Sequence, residues 1–279
     1  MSQKSVIGLD VGGTKIFAGR YESAQLIKTD DCEIPTEAAA GKDTILGNLI
    51  TAINQVKTSN TTAIGISWAG FVNNETGTIN NAPNISALNG FTLTQYITKE
   101  TGLTCLLEND ARCFALGAYE NLPEKPKVFL GIIIGTGVGG GLINHGKIFQ
   151  GENHAAGEVG HILINGQEIE AQIAGPALEK KFGVTRLSQL DRSTLTDDQI
   201  QKIINPLIDW LTILCFAYNP GIISIGGGAG QHFWRHYQSQ VTQQLSMALG
   251  NFPCQTKIVF ADHENAGAQG AAALVKQYL

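Results

Sequence analysis

Hydrophobic and polar positions along the chain alternate between short apolar runs and longer amphipathic stretches. Two apolar runs, 5–10 and 15–21, flank a Val11-Gly12-Gly13-Thr14 turn and predict a β-hairpin, with 25–33 as a third strand. A helix is predicted over 43–57, a buried strand over 62–67, a helix over 93–101 and a strand over 104–107. The second half repeats this logic, with strand 128–134, turn 135–137 and strand 138–144 ahead of a loop-rich stretch. Helices are expected from about 170 and from about 197, then a strand over 221–225 and a helix after the glycines at 226–230. A last alanine-rich helix, 265–278, is expected to pack closely on another element. Strands alternating with helices predict an α/β fold in two parts, with weak internal duplication. We expect a smaller domain over 1–108, joined by the helix of 265–279, and a larger one over 109–264.

Candidate chemistry enters with two glycine-rich turns, Asp10-Val11-Gly12-Gly13-Thr14-Lys15 and Gly135-Thr136-Gly137-Val138-Gly139-Gly140-Gly141, each following an apolar run. Without a Cβ, successive backbone N–H groups can converge on an anion, so two such turns facing one cleft could cradle the phosphates of ATP. The segment 135–140 also fits the dinucleotide pattern G-x-G-x-x-G. A Rossmann turn must open a helix, whereas 141–147 reads as a strand and a hairpin turn, which disfavours NAD. Between the two turns, Glu108-Asn109-Asp110-Ala111 offers Asp110 as a base; it is equally placed to cap a helix over 111–119.

Composition narrows the class. The chain has 279 residues, 43% hydrophobic and 15% charged, enough for a well-buried core. Its net charge of −5 gives no electrostatic support to a nucleic-acid or anionic-membrane partner, and a small-molecule substrate is expected. Residues 1–4 run straight into a strand too short for a signal sequence, and a cytoplasmic protein is expected. Five widely spaced cysteines, none paired at zinc-ligand spacing, read as reduced and buried thiols.

Five motifs then occur in order: Asp10 to Lys15, Glu108 to Ala111, Ile134 to Gly141, Gly157-Glu158-Val159-Gly160-His161 and Gly226-Gly227-Gly228. Their order and approximate spacing resemble the ROK family of bacterial sugar kinases and repressors over nearly the whole chain. The resemblance implies a two-domain actin-like, ribonuclease H-like fold, with sugar and ATP in an interdomain cleft; with both bound there, such a cleft is expected to close on the sugar. Asp110 then matches the catalytic base. Asp10 matches the acid near Mg²⁺, though alone it would be an ordinary turn aspartate. Gly12, Gly13 and Thr14 resemble the first phosphate loop, and Gly135, Thr136 and Gly137 the second. Lys15 is assigned either to the phosphates or to an outward position on the hairpin, and Gly227 and Gly228 belong to the turn that resembles the adenosine site. On the sugar side the resemblance implies Asn109, Glu158 and His161. Asn89, before Gly90, resembles the Asn-Gly of a loop over the sugar and is also simply a good turn.

One departure is visible. Family members commonly carry a cysteine-rich zinc loop after the Gly-His, but here residues 162–170 hold no cysteine, and no structural zinc is expected. Beyond that loop the register resumes, so Glu170 is the candidate third sugar-binding acid; it would also suit a helix first turn. Two functional classes remain. One is an ATP- and Mg²⁺-dependent kinase of a hexose or N-acetylhexosamine acting at the 6-hydroxyl, with a fructokinase as a variant, and the other is a non-catalytic sugar sensor. Repressors of the family carry a helix-turn-helix ahead of the first glycine turn, which here begins at residue 10, and this favours the enzyme. A homodimer is expected.

Overall fold

The computed structural model describes residues 4–260 and 264–278; the start of the N-terminal lead-in read from sequence, residues 1–3, lies outside them. The chain forms two compact units, each built on a five-stranded sheet.

The first unit runs to Pro123 and takes in Gln150–Ala156 and the C-terminal helix. Its sheet has the strands in the order Lys28–Pro35, Lys15–Glu22, Ser5–Val11, Thr61–Trp68, Thr104–Asn109. The first three are antiparallel neighbours and the last two join in parallel. Third in sequence, Lys28–Pro35 starts later than the 25–33 expected, because Leu26 takes a left-handed φ of 54° and its N–H bonds Glu22 in a tight turn. Ser5–Val11 is almost wholly buried, as a strand covered on both faces must be. Ile7 and Leu9 join a core with Ile45 and Leu49 of helix Lys42–Val56.

Helix Ala266–Tyr278 covers strands Ser5–Val11 and Thr61–Trp68. Gly8 and Gly65 are register partners, and a Cβ on either would collide with a carbonyl of this helix, Ala268 or Ala271. Helix Asp110–Glu120 packs on it through Gly117 and Gly270, again backbone to backbone. The first unit runs on to Pro123, and the helix after Asn109 belongs to its packing.

The second unit, 124–149 with the chain from Gly157 to the strand Lys257–Phe260, repeats the topology. Its sheet order is Lys147–Ile148, Val138–Asn144, Val128–Ile134, Ile222–Gly226, Lys257–Phe260, with the same antiparallel and parallel joins. The long helix Asp197–Tyr218 begins at Thr196, where Thr196 and Gln199 form a capping box. Among the described residues it is the one helix long and apolar enough to cross a membrane, and Trp210, Leu211 and Leu214 bury its apolar side in the core of this unit. The glycines at 226–228 lead into a short helix, Gly228–His232, and then into Gln238–Leu249. Two small hairpins were not predicted: Phe71–Asn73 with Thr78–Asn81, and Leu163–Ile164 with Gln167–Glu168.

Candidate active site

Strand Thr104–Asn109 delivers its last residue directly to the helix Asp110–Glu120. Asn109, not Asp110, is the N-cap: its Oδ1 accepts the Arg112 N–H at 3.2 Å. Asp110 is thereby left in the first turn. Its Oδ1 accepts from the Ala111 N–H and from Asn109 Nδ2, both at 2.9 Å, which fixes the carboxylate's orientation. The other Asn109 Nδ2 donor goes to the Gly70 carbonyl at 3.0 Å.

Behind this pair lies a buried polar network that the sequence reading missed. Glu108 is 0% exposed and Arg112 2% exposed, and Arg112 Nη1 donates to Glu108 Oε1 at 3.1 Å. Glu108 Oε1 also accepts the Asn109 N–H, while its Oε2 accepts from Asn74 at 3.1 Å and Gln150 at 2.6 Å. The i,i+4 spacing of 108 and 112 was the one available signal.

In the first glycine turn, Gly12 donates its N–H to the Lys15 carbonyl at 3.0 Å and receives the Thr36 hydroxyl on its own carbonyl at 2.6 Å. Gly13 lies against the loop of the predicted sugar segment, since a Cβ there would sit 2.9 Å from Asn84 Cβ. Thr14 is exposed. Lys15 reaches sideways to Glu33 at 2.7 Å, an exposed pair of little energetic weight. Asn89 uses its Oδ1 to accept the Ala82 N–H at 2.8 Å, and Gly90 follows with φ 78°, so this Asn-Gly closes its own loop.

Asp10 is register partner to Ser67, whose hydroxyl donates to Asp10 Oδ1 at 2.6 Å. Its carboxylate also sits against the first turn of helix Ala266–Tyr278, where a Cβ on Gly267 would lie 2.7 Å from Oδ1. Burial pushes the carboxyl above its ordinary range, with Ser67 and Lys15 pulling the other way.

In the second unit, the spacing of Gly157-Glu158-Val159-Gly160-His161 has a packing cause. A Cβ on Gly157 would lie 2.6 Å from the Gly140 carbonyl, and one on Gly160 would run into Val138, so the segment presses directly on the strand Val138–Asn144. The buried Trp210 indole donates to the Val159 carbonyl at 2.9 Å and pins the middle of the segment. Glu158 and His161 flank that anchor. His161 is 53% exposed, with Nδ1 3.3 Å from Glu168 Oε1. Glu168 arrives there because Asn165 and Gly166, both with positive φ (52° and 78°), close the small hairpin as a type I′ turn. This hairpin occupies the segment in which the absence of cysteine was noted. Among the described residues no group of three or more His, Cys, Asp or Glu could hold a metal ion.

Glu170 opens a short helix and reaches the second glycine turn, its Oε2 accepting the Val138 N–H at 2.7 Å and lying over Gly137. Within the turn, the Gly135 N–H bonds the Gly137 carbonyl at 2.9 Å and its carbonyl receives Gly175 at 2.8 Å. Gly227 takes φ 81° with its α-carbon against Ile134, where a Cβ would sit 2.6 Å from the carbonyl. A Cβ on Gly135 or Gly228 would meet nothing within 4 Å, so both face open space. In the first unit the structure thus joins Asn109 to Asp110 and sets Gly13 against the 84–89 loop. In the second it gathers Glu170 to Gly137 and Glu158 with His161 beside Val138. It sends Lys15 to Glu33.

Two sheets of one topology, each with a glycine turn between its antiparallel strands, define the two-domain actin-like ATPase fold. A ROK hexokinase from Thermus thermophilus superposes with a TM-score of 0.83 at 25% identity, over 96% of this chain and 97% of that one. The family model described as "ROK family" matches residues 6–278, and the chain belongs to the ROK family. An N-acetyl-D-glucosamine kinase of Vibrio atlanticus is 38% identical over 306 residues, spanning 96% of this chain and 98% of its own. A glucokinase of Halalkalibacterium halodurans is 36% identical over 171 residues, 59% of this chain and 51% of its own.

Proposed function

We propose that this chain is an ATP-dependent sugar kinase that phosphorylates a hexose or N-acetylhexosamine at the 6-hydroxyl, with Asp110 as the general base. The observation that carries the reading is Asp110 at the start of its helix, held through one oxygen by Ala111 and Asn109. A carboxylate fixed in this way can take the proton of an attacking hydroxyl without reorganising first. Asn109 spends both N–H donors on Gly70 and Asp110, which leaves its Oδ1 able to accept one hydroxyl besides the Arg112 N–H. Glu158 and His161 are assigned to ring hydroxyls, and Glu170 to a third, through the oxygen not used on Val138.

The two glycine turns are assigned to the triphosphate. With the Gly12 and Gly135 N–H groups bonded within their turns, Gly13, Thr14, Thr136 and Gly137 are the proposed phosphate donors, and the turn of Gly227, packed on Ile134, and Gly228, open to space, is the proposed adenosine contact. Lys15, engaged with Glu33, is proposed to act on the phosphates only through its charge. Mg²⁺ would be held near Asp10, through water, and would neutralise the charge of the β- and γ-phosphates. Phosphoryl transfer asks mainly for positioning and charge stabilisation, which these backbone donors supply.

The relatives aligned over nearly their full length include N-acetyl-D-glucosamine kinases, so N-acetylglucosamine leads the substrate panel, followed by glucose, N-acetylmannosamine and fructose. A cytoplasmic homodimer is the proposed setting. The test is a coupled ADP-release assay against that panel. Sugar-dependent ADP release with one preferred hexose is expected; sugar binding with no ADP release would instead support a non-catalytic sensor.

A further inference from the structure

The segment of residues 150–156 has no apolar reason to sit where it does. Its sequence, Gln-Gly-Glu-Asn-His-Ala-Ala, carries no large hydrophobic side chain and no residue in it is fully buried, yet it packs into the first unit. The residues on either side of it, Phe149 and Gly157, belong to the second unit. Apolar burial, which positions nearly every other segment of this fold, is absent here. Arg112 does the holding. Its Nη1 donates to Gln150 Oε1 at 3.0 Å, Nη2 to the His154 carbonyl at 2.6 Å, and Nε to the Ala156 carbonyl at 3.1 Å. The loop's neck is closed by the Ala156 N–H on the Gln150 carbonyl at 3.1 Å, and Gln150 Nε2 adds its bond to Glu108. His154 adopts φ 53°, an uncommon conformation for a residue with a Cβ, and it is the His154 carbonyl that meets Arg112.

Arg112 itself is fixed. It lies in the first turn of the helix that carries Asp110, its charge is compensated by the buried Glu108, and its planar fork spans acceptors that a lysine ammonium could not reach together. Beyond the Ala156 carbonyl, Gly157 and Glu158 follow at once, so Glu158 is tethered within about 8 Å of a point that Arg112 holds.

We propose that Arg112 is a positioning residue for sugar binding. It locks the loop of 150–156 to the base-bearing helix turn and so sets where the chain departs for Glu158 and His161. The proposal rests on the reading of Glu158 and His161 as sugar contacts.

The experiment uses the full chain as wild type, Arg112→Lys and Gln150→Ala, with N-acetylglucosamine and glucose as sugars. Arg112→Lys keeps the charge beside Glu108 but loses the fork, and Gln150→Ala removes the Gln150 side-chain bonds to Arg112 and to Glu108 while leaving the ion pair intact. Hydrogen exchange should accelerate by about tenfold or more at amides of 150–161 in Arg112→Lys, with the remainder of the chain unchanged. The KM for sugar should rise roughly tenfold while the KM for ATP stays within about twofold, and Gln150→Ala should shift the same quantities less. Unchanged exchange at 150–161, or sugar and ATP KM values that rise together with faster exchange throughout, would overturn the proposal and leave Arg112 a stabilising residue only. Failure of the kinase reading shows separately, as a wild-type protein that releases no ADP with any sugar, and it would overturn this proposal with it.

Discussion

The two sheets share one strand order, and the same hairpin sits in each, yet the two hairpins carry different chemistry. In the first, Val11 pairs with Ile16 across a four-residue turn, and in the second Ile134 pairs with Val138 across three. Counting one residue back from each closing pair reaches Asp10 in one sheet and Ile133 in the other. Asp10 has Ser67 across the parallel join and a glycine of the C-terminal helix against its carboxylate. The second turn borrows its acid from elsewhere, since Glu170 comes from a separate helix to accept the Val138 N–H. A duplicated scaffold therefore fixes where backbone donors lie, and the side chains added at or near each turn decide what those donors can serve.

The largest expected effect lies in the buried ion pair of the first unit, which has no counterpart described in the second. Arg112→Met should destabilise the protein by about 3–5 kcal/mol, because Glu108 is left charged and buried. The combined Arg112→Met, Glu108→Gln variant should recover part of that loss, and urea unfolding of the two would measure it. A double variant no more stable than the single would show that the charge of Glu108 is not what is being stranded.

Substituting at the matched positions sharpens the comparison directly. Asp10→Ala should lower kcat by roughly 10²-fold, the scale of losing one preorganised electrostatic group, whereas Ile133→Ala should change kcat by about twofold or less and act mainly on stability. Equal losses of kcat from both would deny Asp10 a special role. Ser67→Ala should push the Asp10 carboxyl further up, since it removes the hydrogen bond that favours the charged form. With the carboxylate needed in its ionised form, the acidic limb of the kcat profile should move to higher pH.

The turns themselves should differ less. A Cβ on Gly12 would have its nearest contact at 3.7 Å, while one on Gly137 would lie 2.7 Å from Glu170 Oε2. Gly137→Ala should push the flexible Glu170 carboxylate off the Val138 N–H and raise the KM for sugar with little loss of stability, and Gly12→Ala should be near neutral for thermal unfolding. The smallest effect concerns thiols. Cys113 is fully buried, and burial with the nearby carboxylates of Glu108, Asp10 and Asp110 holds its thiol well above the ordinary range. Iodoacetamide should therefore label the partly exposed Cys32 and Cys254 first and leave Cys113, Cys105 and Cys215 unlabelled in the folded protein.

What was legible in the sequence follows the range of the interactions. The strands at 5–11 and 128–134 announce themselves as apolar runs, and the glycine turns as local breaks in them, because both depend on near neighbours. The later start of strand Lys28–Pro35 was hidden by Leu26, whose left-handed turn no propensity suggests. Gly157 and Gly160 could be matched to a motif, but their reason, contact with Gly140 and Val138, appears only once the strand is placed. The Arg112 network was illegible because its partners lie at 108, 150, 154 and 156, joined by no pattern except the i,i+4 step to Glu108. The Asn165-Gly166 turn was a readable signal, but the two-residue strands on either side are too short to show alternation.

The most direct test of the central claim is Asp110→Asn, which keeps the shape of the side chain and removes its ability to take a proton. With the sugar preferred by the wild type, kcat should fall by about 10²–10⁴-fold while sugar affinity measured by calorimetry stays within about tenfold. A variant that turns over near the wild-type rate, with sugar still bound, would contradict Asp110 as the base.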